Sequence, residues 1–273
     1  MNNLHRELAP ISAAAWAEIE EEAQRTLKRH LAARRVVDVS EPGGSALGAI
    51  ATGHQRSLQA PADGVIARQR EVKALVELRI PFELDRQAID DVERGAHDSD
   101  WQKLKDAAQK LAFAEDRAVF DGYAAADIEG IRQGTSLPKL TLPADVRQYP
   151  DAIAQALSQL RLAGVNGPYS VVLGADAYTA VGSTGDHGYP VLRHIKQIVS
   201  EEIIWAPAIA GGLVLATRGG DFALHLGQDI SIGYLSHSDA AVRLYLQETF
   251  TFLLLTTEAA VALMPPAAKK GAR

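Results

Sequence analysis

The stretch from Gly219 to Leu254, GGDFALHLGQDISIGYLSHSDAAVRLYLQETFTFLL, limits the possible folds more than any other part of the chain. Phe222, Leu224 and Leu226 alternate with smaller or polar residues. Ile230 and Ile232 flank Ser231. Val242, Leu244 and Leu246 alternate in turn before Phe250, Phe252 and Leu254 take over. A period of two with one apolar face predicts three consecutive half-buried antiparallel strands. Gly227–Asp229 and Leu235–Asp239 are polar enough to connect them, and Gly233 before Tyr234 predicts a bend or bulge. Nothing in the stretch is a catalytic motif.

The remaining elements mix both periods. From about Ala13 to Ala33, Trp16, Ile19, Ala23, Leu27 and Leu31 recur at helical spacing, with Ser12 placed as the cap. Glu18, Glu20, Glu21 and Glu22 precede Arg25, Lys28, Arg29, Arg34 and Arg35, so the charges counter the helix dipole at both ends. Arg35–Val39 reads as a short strand stopped by Pro42-Gly43-Gly44. Residues 45–71 are rich in Gly, Ala, Ser and Gln and hold little that could be buried. They read as an extended loop or hairpin leaning on something outside its own domain, or as an ordinary loop. Val76, Leu78, Ile80, Phe82 and Leu84 alternate with polar residues and Pro81, which predicts a strand at a sheet edge or with a bulge. A helix over Asp100–Asp121 carries Trp101, Leu104, Ala108, Leu111 and Val119 on one side and stops at Gly122. Residues 134–218 alternate helix (Pro150–Ala163, Pro190–Val199) with strand (Tyr169–Leu173, Ile203–Trp205, Leu213–Ala216), as an inserted α/β subdomain would.

Chemistry is mostly excluded. The chain has 273 residues, 47% apolar and 23% charged, with a net charge of -6, which disfavours nucleic acid as a partner. There is no Cys, so thiolate metal sites, cysteine nucleophiles and disulfides are all absent. No secretion signal is read at the N-terminus, and the run Leu244–Met264, interrupted by Gln247, Glu248 and Glu258, falls short of a membrane span. The eight His residues have no zinc-motif spacing, and no nucleophile elbow or dinucleotide fingerprint is present. Asp90, Asp91 and Glu93 read as a solvated turn ending at Gly95. The glycine-rich GSTGDHGY after Val181 lacks the Lys and Ser/Thr of a phosphate loop, so a surface loop is expected. Asp38 and Asp229 stand beside apolar strand residues, where turn or edge roles are the plain expectation.

Three segments carry a resemblance to a known family. GGDFALHLGQDISIGY followed by AVRLYLQETFTF, LAPISAAAWAEIEEEAQRTLKRHLAARRVVDV near the start, and ELRIPFELDRQAIDDVERG in the middle resemble the encapsulins, bacterial compartment-shell proteins once described as linocin-type bacteriocins. The matches span nearly the whole chain in the family's order. The resemblance implies an α+β fold of the tailed-phage major capsid protein (Hong Kong 97) type. Residues 1–45, 79–133 and 219–273 would form a discontinuous peripheral domain, 46–78 an extended arm over the neighbouring subunit, and 134–218 an axial domain. It implies a non-enzymatic shell subunit assembling with itself, about 60 copies in a closed icosahedron, around a cargo enzyme in the bacterial cytoplasm. The cargo would be a dye-decolourising peroxidase or a ferritin-like iron oxidase.

Leu31, Arg34 and Asp38, with Asp229, Ile230 and Ile232, match the family's groove for the cargo's C-terminal targeting peptide. An apolar floor would take the peptide's Leu or Ile side chains, while Arg34 and Asp38 hold its polar atoms and termini. Ser183, Thr184, Asp186, His187 and Tyr189 match the loop lining the five-fold pore. Some members stack a flavin on a Trp where this chain has Gln87, so no cofactor is expected. Pro265–Arg273 extends beyond the family's usual end as a basic tail. A prophage capsid protein, or less readily a linocin-type peptidase, is the alternative.

Overall fold

The computed structural model describes residues 3–186, 188–199 and 201–266. In chain order its elements are helix α1 (Ala13–His30), strands β1 (Asp38–Val39), β2 (Ala49–Leu58), β3 (Ala67–Ala74) and β4 (Val76–Asp85), then helices α2 (Arg86–Glu93), α3 (Gln102–Phe120) and α4 (Ile131–Gly134). There follow β5 (Leu140–Thr141), α5 (Tyr149–Leu162), β6 (Tyr169–Leu173), α6 (Ala175–Ser183), β7 (Gly185–Asp186), β8 (Tyr189–Pro190), α7 (Val191–Ile198), β9 (Ile203–Trp205) and β10 (Gly212–Ala216). The chain closes with β11 (Phe222–Leu226), β12 (Ser231–His237), β13 (Ala241–Leu254) and β14 (Ala260–Met264).

The predicted three-strand stretch forms the first sheet. β11 and β12 run one after the other along β13, Phe222 opposite Leu254 and Ser231 opposite Gln247. Gly227 N donates to Thr249 O (2.8 Å) and Thr249 N to Gln228 O (2.9 Å) across the join. β4 pairs along Ala241–Phe250 of β13 and has no further partner among the described residues, so Pro81, opposite Tyr245, lies on an edge strand in regular register. The irregularity in β12 falls between Tyr234 and Ser236, one residue beyond the expected place. Gly233 instead makes room for an aromatic ring, since any side chain there would overlap Tyr245.

Helices α1 and α3 cover one face of this sheet. Ile19, Ala23 and Leu27 of α1 meet Leu104, Ala108 and Leu111 of α3 and Leu244 and Leu246 of β13 in one buried cluster. Each large aliphatic side chain so buried contributes about 1.5–3 kcal/mol. The Ser12 hydroxyl accepts from Ala15 N (3.1 Å) at the start of α1, as its sequence position predicts. Gly122, with φ +92°, ends α3 in the left-handed region and donates to Arg117 O at 3.0 Å.

The second sheet has the order β5-β14-β10-β6-β9, with α5 packed against β10 and β14. Every residue of β6 and β10 is buried, as expected for central strands covered on both faces. Its core continues into the first sheet through Phe222, Leu224, Phe250 and Phe252.

Several expectations are corrected. α1 stops at His30, and Ala33–Arg35 forms a single 3-10 turn where a strand was expected to start. The reason is local: the Asp116 carboxylate accepts from Ala32 N (3.1 Å) and Ala33 N (2.9 Å) and so caps that turn. The acids read as a solvated turn lie on α2, which Asp85 caps by accepting from Gln87 N (2.7 Å) and which buries Ile89 and Val92. Ala260–Met264 pairs with β10 and β5 in the second sheet rather than with the strands that precede it. The segment expected as a loop or hairpin is a hairpin, β2 and β3, forming a two-stranded sheet of its own. Leu58, Val65, Ile66 and Val72 are exposed on it, Ile66 to 82%. Among the described residues no helix is long and apolar enough to cross a membrane.

Candidate functional site

The turn after α1 carries Arg34 into a cluster of acids. Its Nε donates to both Glu115 oxygens (2.9 and 3.0 Å), and its Nη2 donates to Glu115 Oε2 (2.5 Å) and Glu248 Oε2 (3.3 Å). Its Nη1 donates to Asp229 Oδ1 at 2.8 Å. Glu115 comes from α3, Glu248 from β13 and Asp229 from the β11–β12 join, so one guanidinium ties four parts of the fold together. The Glu115 and Glu248 side chains are fully buried, Arg34 is 18% exposed and Asp229 is 47% exposed. The cluster therefore has a closed floor and one open side, at Asp229.

Electrostatics follow from that burial. Burial works against the Arg34 charge, but the hydrogen bond and charge of Glu115, then those of Asp229, more than offset it and raise its pKa further. Burial also pushes the Asp116 carboxyl up to about 7, against the two backbone N–H groups that favour its ionised form. Glu248 is raised well above the ordinary carboxyl range, by burial first and by the charge of Glu115 next, and its Oε1 has no hydrogen-bond partner among the described residues. A Glu248 that keeps its proton avoids placing a second buried negative charge against Glu115.

The predicted groove residues are partly brought together. Leu31, Ile230 and Ile232 pack on the same apolar cluster beneath α1, and Arg34 meets Asp229. Asp38 lies apart, at the opposite end of β11. It stands beside Ala223, and its Oδ2 accepts from Gly220 N (2.6 Å), pinning a turn whose Gly219 and Gly220 both have positive φ.

Of the predicted loop residues, Ser183 ends α6, Thr184 follows it, and Asp186 pairs with Tyr189 in the β7–β8 ribbon. Tyr189 stacks on His194, ring centroids 4.6 Å apart, and accepts a hydrogen bond from Gln197 at 3.0 Å. His187 lies outside the described residues, as do residues 267–273 of the expected tail. Gln87 is exposed in the first turn of α2. Among the described residues no group of three or more His, Asp or Glu could hold a metal ion.

Sequence reading missed Glu115, Asp116 and Glu248. A signal was present for Glu115, because it continues the 104, 108, 111 spacing and so places an acid on the buried stripe of α3. Glu248 had one too: it takes an apolar position in the alternation of Val242, Leu244, Leu246, Phe250 and Phe252, which places an acid on the buried face of β13.

Comparison with known proteins points one way. The family model Linocin_M18, described as "Encapsulating protein for peroxidase", matches residues 1–251. A type 1 encapsulin shell protein of Rhodococcus erythropolis is 63% identical over 263 residues, 96% of this chain and all of the relative. That of Mycobacterium tuberculosis is also 63% identical over 96% of this chain and 99% of its own length. The type 1 encapsulin shell protein of Brevibacterium linens is 56% identical. Among solved structures, the virus-like particle from Pyrococcus furiosus aligns with TM-score 0.65 at 16% identity, covering 91% of this chain and 98% of that one. Gordonia phage Cozz gives 0.55 at 13% identity, covering 87% of each. These distant likenesses show the fold, the virus-like capsid fold, while the close relatives are named for a structural role and for no catalytic one. By near full-length similarity to them, the chain belongs to the type 1 encapsulin shell proteins.

Proposed function

We propose that this chain assembles with about 60 copies of itself into a closed icosahedral compartment in the bacterial cytoplasm, enclosing an enzyme held by its C-terminal targeting peptide. The observation that carries the reading is the near full-length identity of 63% with relatives named as shell proteins. The β2–β3 hairpin supports it. Leu58, Val65, Ile66 and Val72 on it are 46% to 82% exposed, and Ile66 at 82% is what a residue meant for a neighbouring subunit would show. The hairpin thus serves as the arm, residues 134–218 as the axial domain, and Ser183, Thr184, Asp186, His187 and Tyr189 as the lining of the five-fold pore.

The groove takes the peptide on Leu31, Ile230 and Ile232 as apolar floor, with Arg34 and Asp229 as polar contacts at one end and Asp38 at the far end of β11. Each peptide binds weakly, and many copies around one lumen retain a multimeric cargo. The family description names a peroxidase, which favours a dye-decolourising peroxidase over a ferritin-like iron oxidase as cargo. The experiment is purification of particles from the native host. Mass spectrometry should find one dominant co-purified enzyme, and R34A with D38A should leave particles intact and empty. Co-purified enzyme at the wild-type level in that variant refutes the groove.

A further inference from the structure

The Arg34 guanidinium is more tightly constrained than a peptide-binding arginine on a surface would be. Glu115 grips its Nε and Nη2 edge in a fork, and Glu248 takes the remaining proton of Nη2 at 3.3 Å. Both acids are fully buried, so neither can follow the guanidinium if it turns. On Nη1 one proton goes to Asp229, and the other has no acceptor among the described residues. One donor is thus left over, on the half of the guanidinium nearest the exposed Asp229.

We infer that Glu115 and Glu248 are positioning residues for cargo capture, holding Arg34 so that its spare Nη1 proton meets a main-chain carbonyl of the targeting peptide rather than the peptide's terminal carboxylate. This rests on the groove reading above. The preference for a neutral acceptor follows from charge. Arg34 already faces the Glu115 and Asp229 carboxylates, so a further carboxylate at Nη1 would sit beside Asp229 with no cation left to balance it. Burial and the neighbouring Glu115 raise the pKa of Glu248, so a second full negative charge beside Glu115 is disfavoured. A peptide read through its main chain need not end at the groove.

The test uses assembled particles co-expressed with a fluorescent protein carrying the C-terminal segment of the enzyme that co-purifies with native particles. Particle formation is scored by electron microscopy and loading by fluorescence per particle. We expect R34A to cut loading tenfold or more, and E115Q to do nearly the same. R34K keeps the charge but lacks the fixed fork, and is expected to form particles that load several-fold less. On wild-type particles, a reporter whose segment is followed by a short neutral extension should load as well as one that ends there. Wild-type loading by R34A would overturn the groove reading itself. Loss with R34A but not with E115Q or R34K would overturn only the positioning role. If E115Q forms no particles, R34K and the extended reporter decide, and a tenfold loss on extension would mean the chain-end carboxylate is the ligand.

Discussion

Replacing Asp116 by Asn should remove a defined part of the protein's pH dependence. Asp116 is buried against the turn after α1, and burial raises its carboxyl from an ordinary 3.8 to about 7. A group whose folded pKa is raised binds more protons in the folded state. Its contribution to stability is therefore fully present below the unfolded value and is lost as pH rises toward the folded one. The shift of roughly 3 units corresponds to about 4 kcal/mol, lost between about pH 4 and pH 7 at about 1.4 kcal/mol per pH unit. Asn cannot ionise, so D116N should lack that slope. It has a fixed cost of its own, about 1–3 kcal/mol, because the amide nitrogen cannot accept from Ala32 or Ala33 as the second carboxylate oxygen does. The assay is thermal unfolding of assembled particles from pH 5 to pH 7. Near 2–4 °C per kcal/mol for a chain of this size, wild type should lose roughly 5–10 °C more than D116N over that range. Parallel pH profiles would refute the placement of a raised carboxyl under this turn.

Two further outcomes follow from packing. G233A should destabilise the protein by about 1–3 kcal/mol in urea titrations, because a methyl at Gly233 overlaps the Tyr245 ring. That ring is held by Arg79, 4.3 Å from its centroid, and by its hydroxyl donating to Asn3 O at 3.1 Å. Replacing residues 49–74 by a short Gly-Ser linker should leave a folded chain with a native far-ultraviolet spectrum but no particles on size-exclusion chromatography, since the hairpin is a separate two-stranded sheet; particles of normal size would show that the hairpin is no assembly arm.

Much of this architecture was legible because burial left a strict period. Tyr169–Leu173 and the three strands after Gly219 form where alternation or a short apolar run demanded them, and Leu104, Ala108 and Leu111 marked the stripe of α3. Periods failed where an element is short or its residues small. α2 shows only Ile89 and Val92 as large buried side chains, and α6 is built mainly of alanine and small polar residues. β14 was hidden for another reason: its apolar run follows that of β13 directly, and only long-range pairing assigns it to the other sheet. The same limit applies at Arg34. Its partners lie 81 and 214 residues away, and no local pattern announces a contact at that distance.

Burial of leftover apolar and edge surface against copies of the same chain is the central claim, and particle mass tests it most directly. Mass photometry of the purified protein at neutral pH should find one dominant species near 1.8 MDa, about 60 copies of a 29.3 kDa chain. A population made up of 29.3 kDa monomers or small oligomers under the same mild conditions would contradict it.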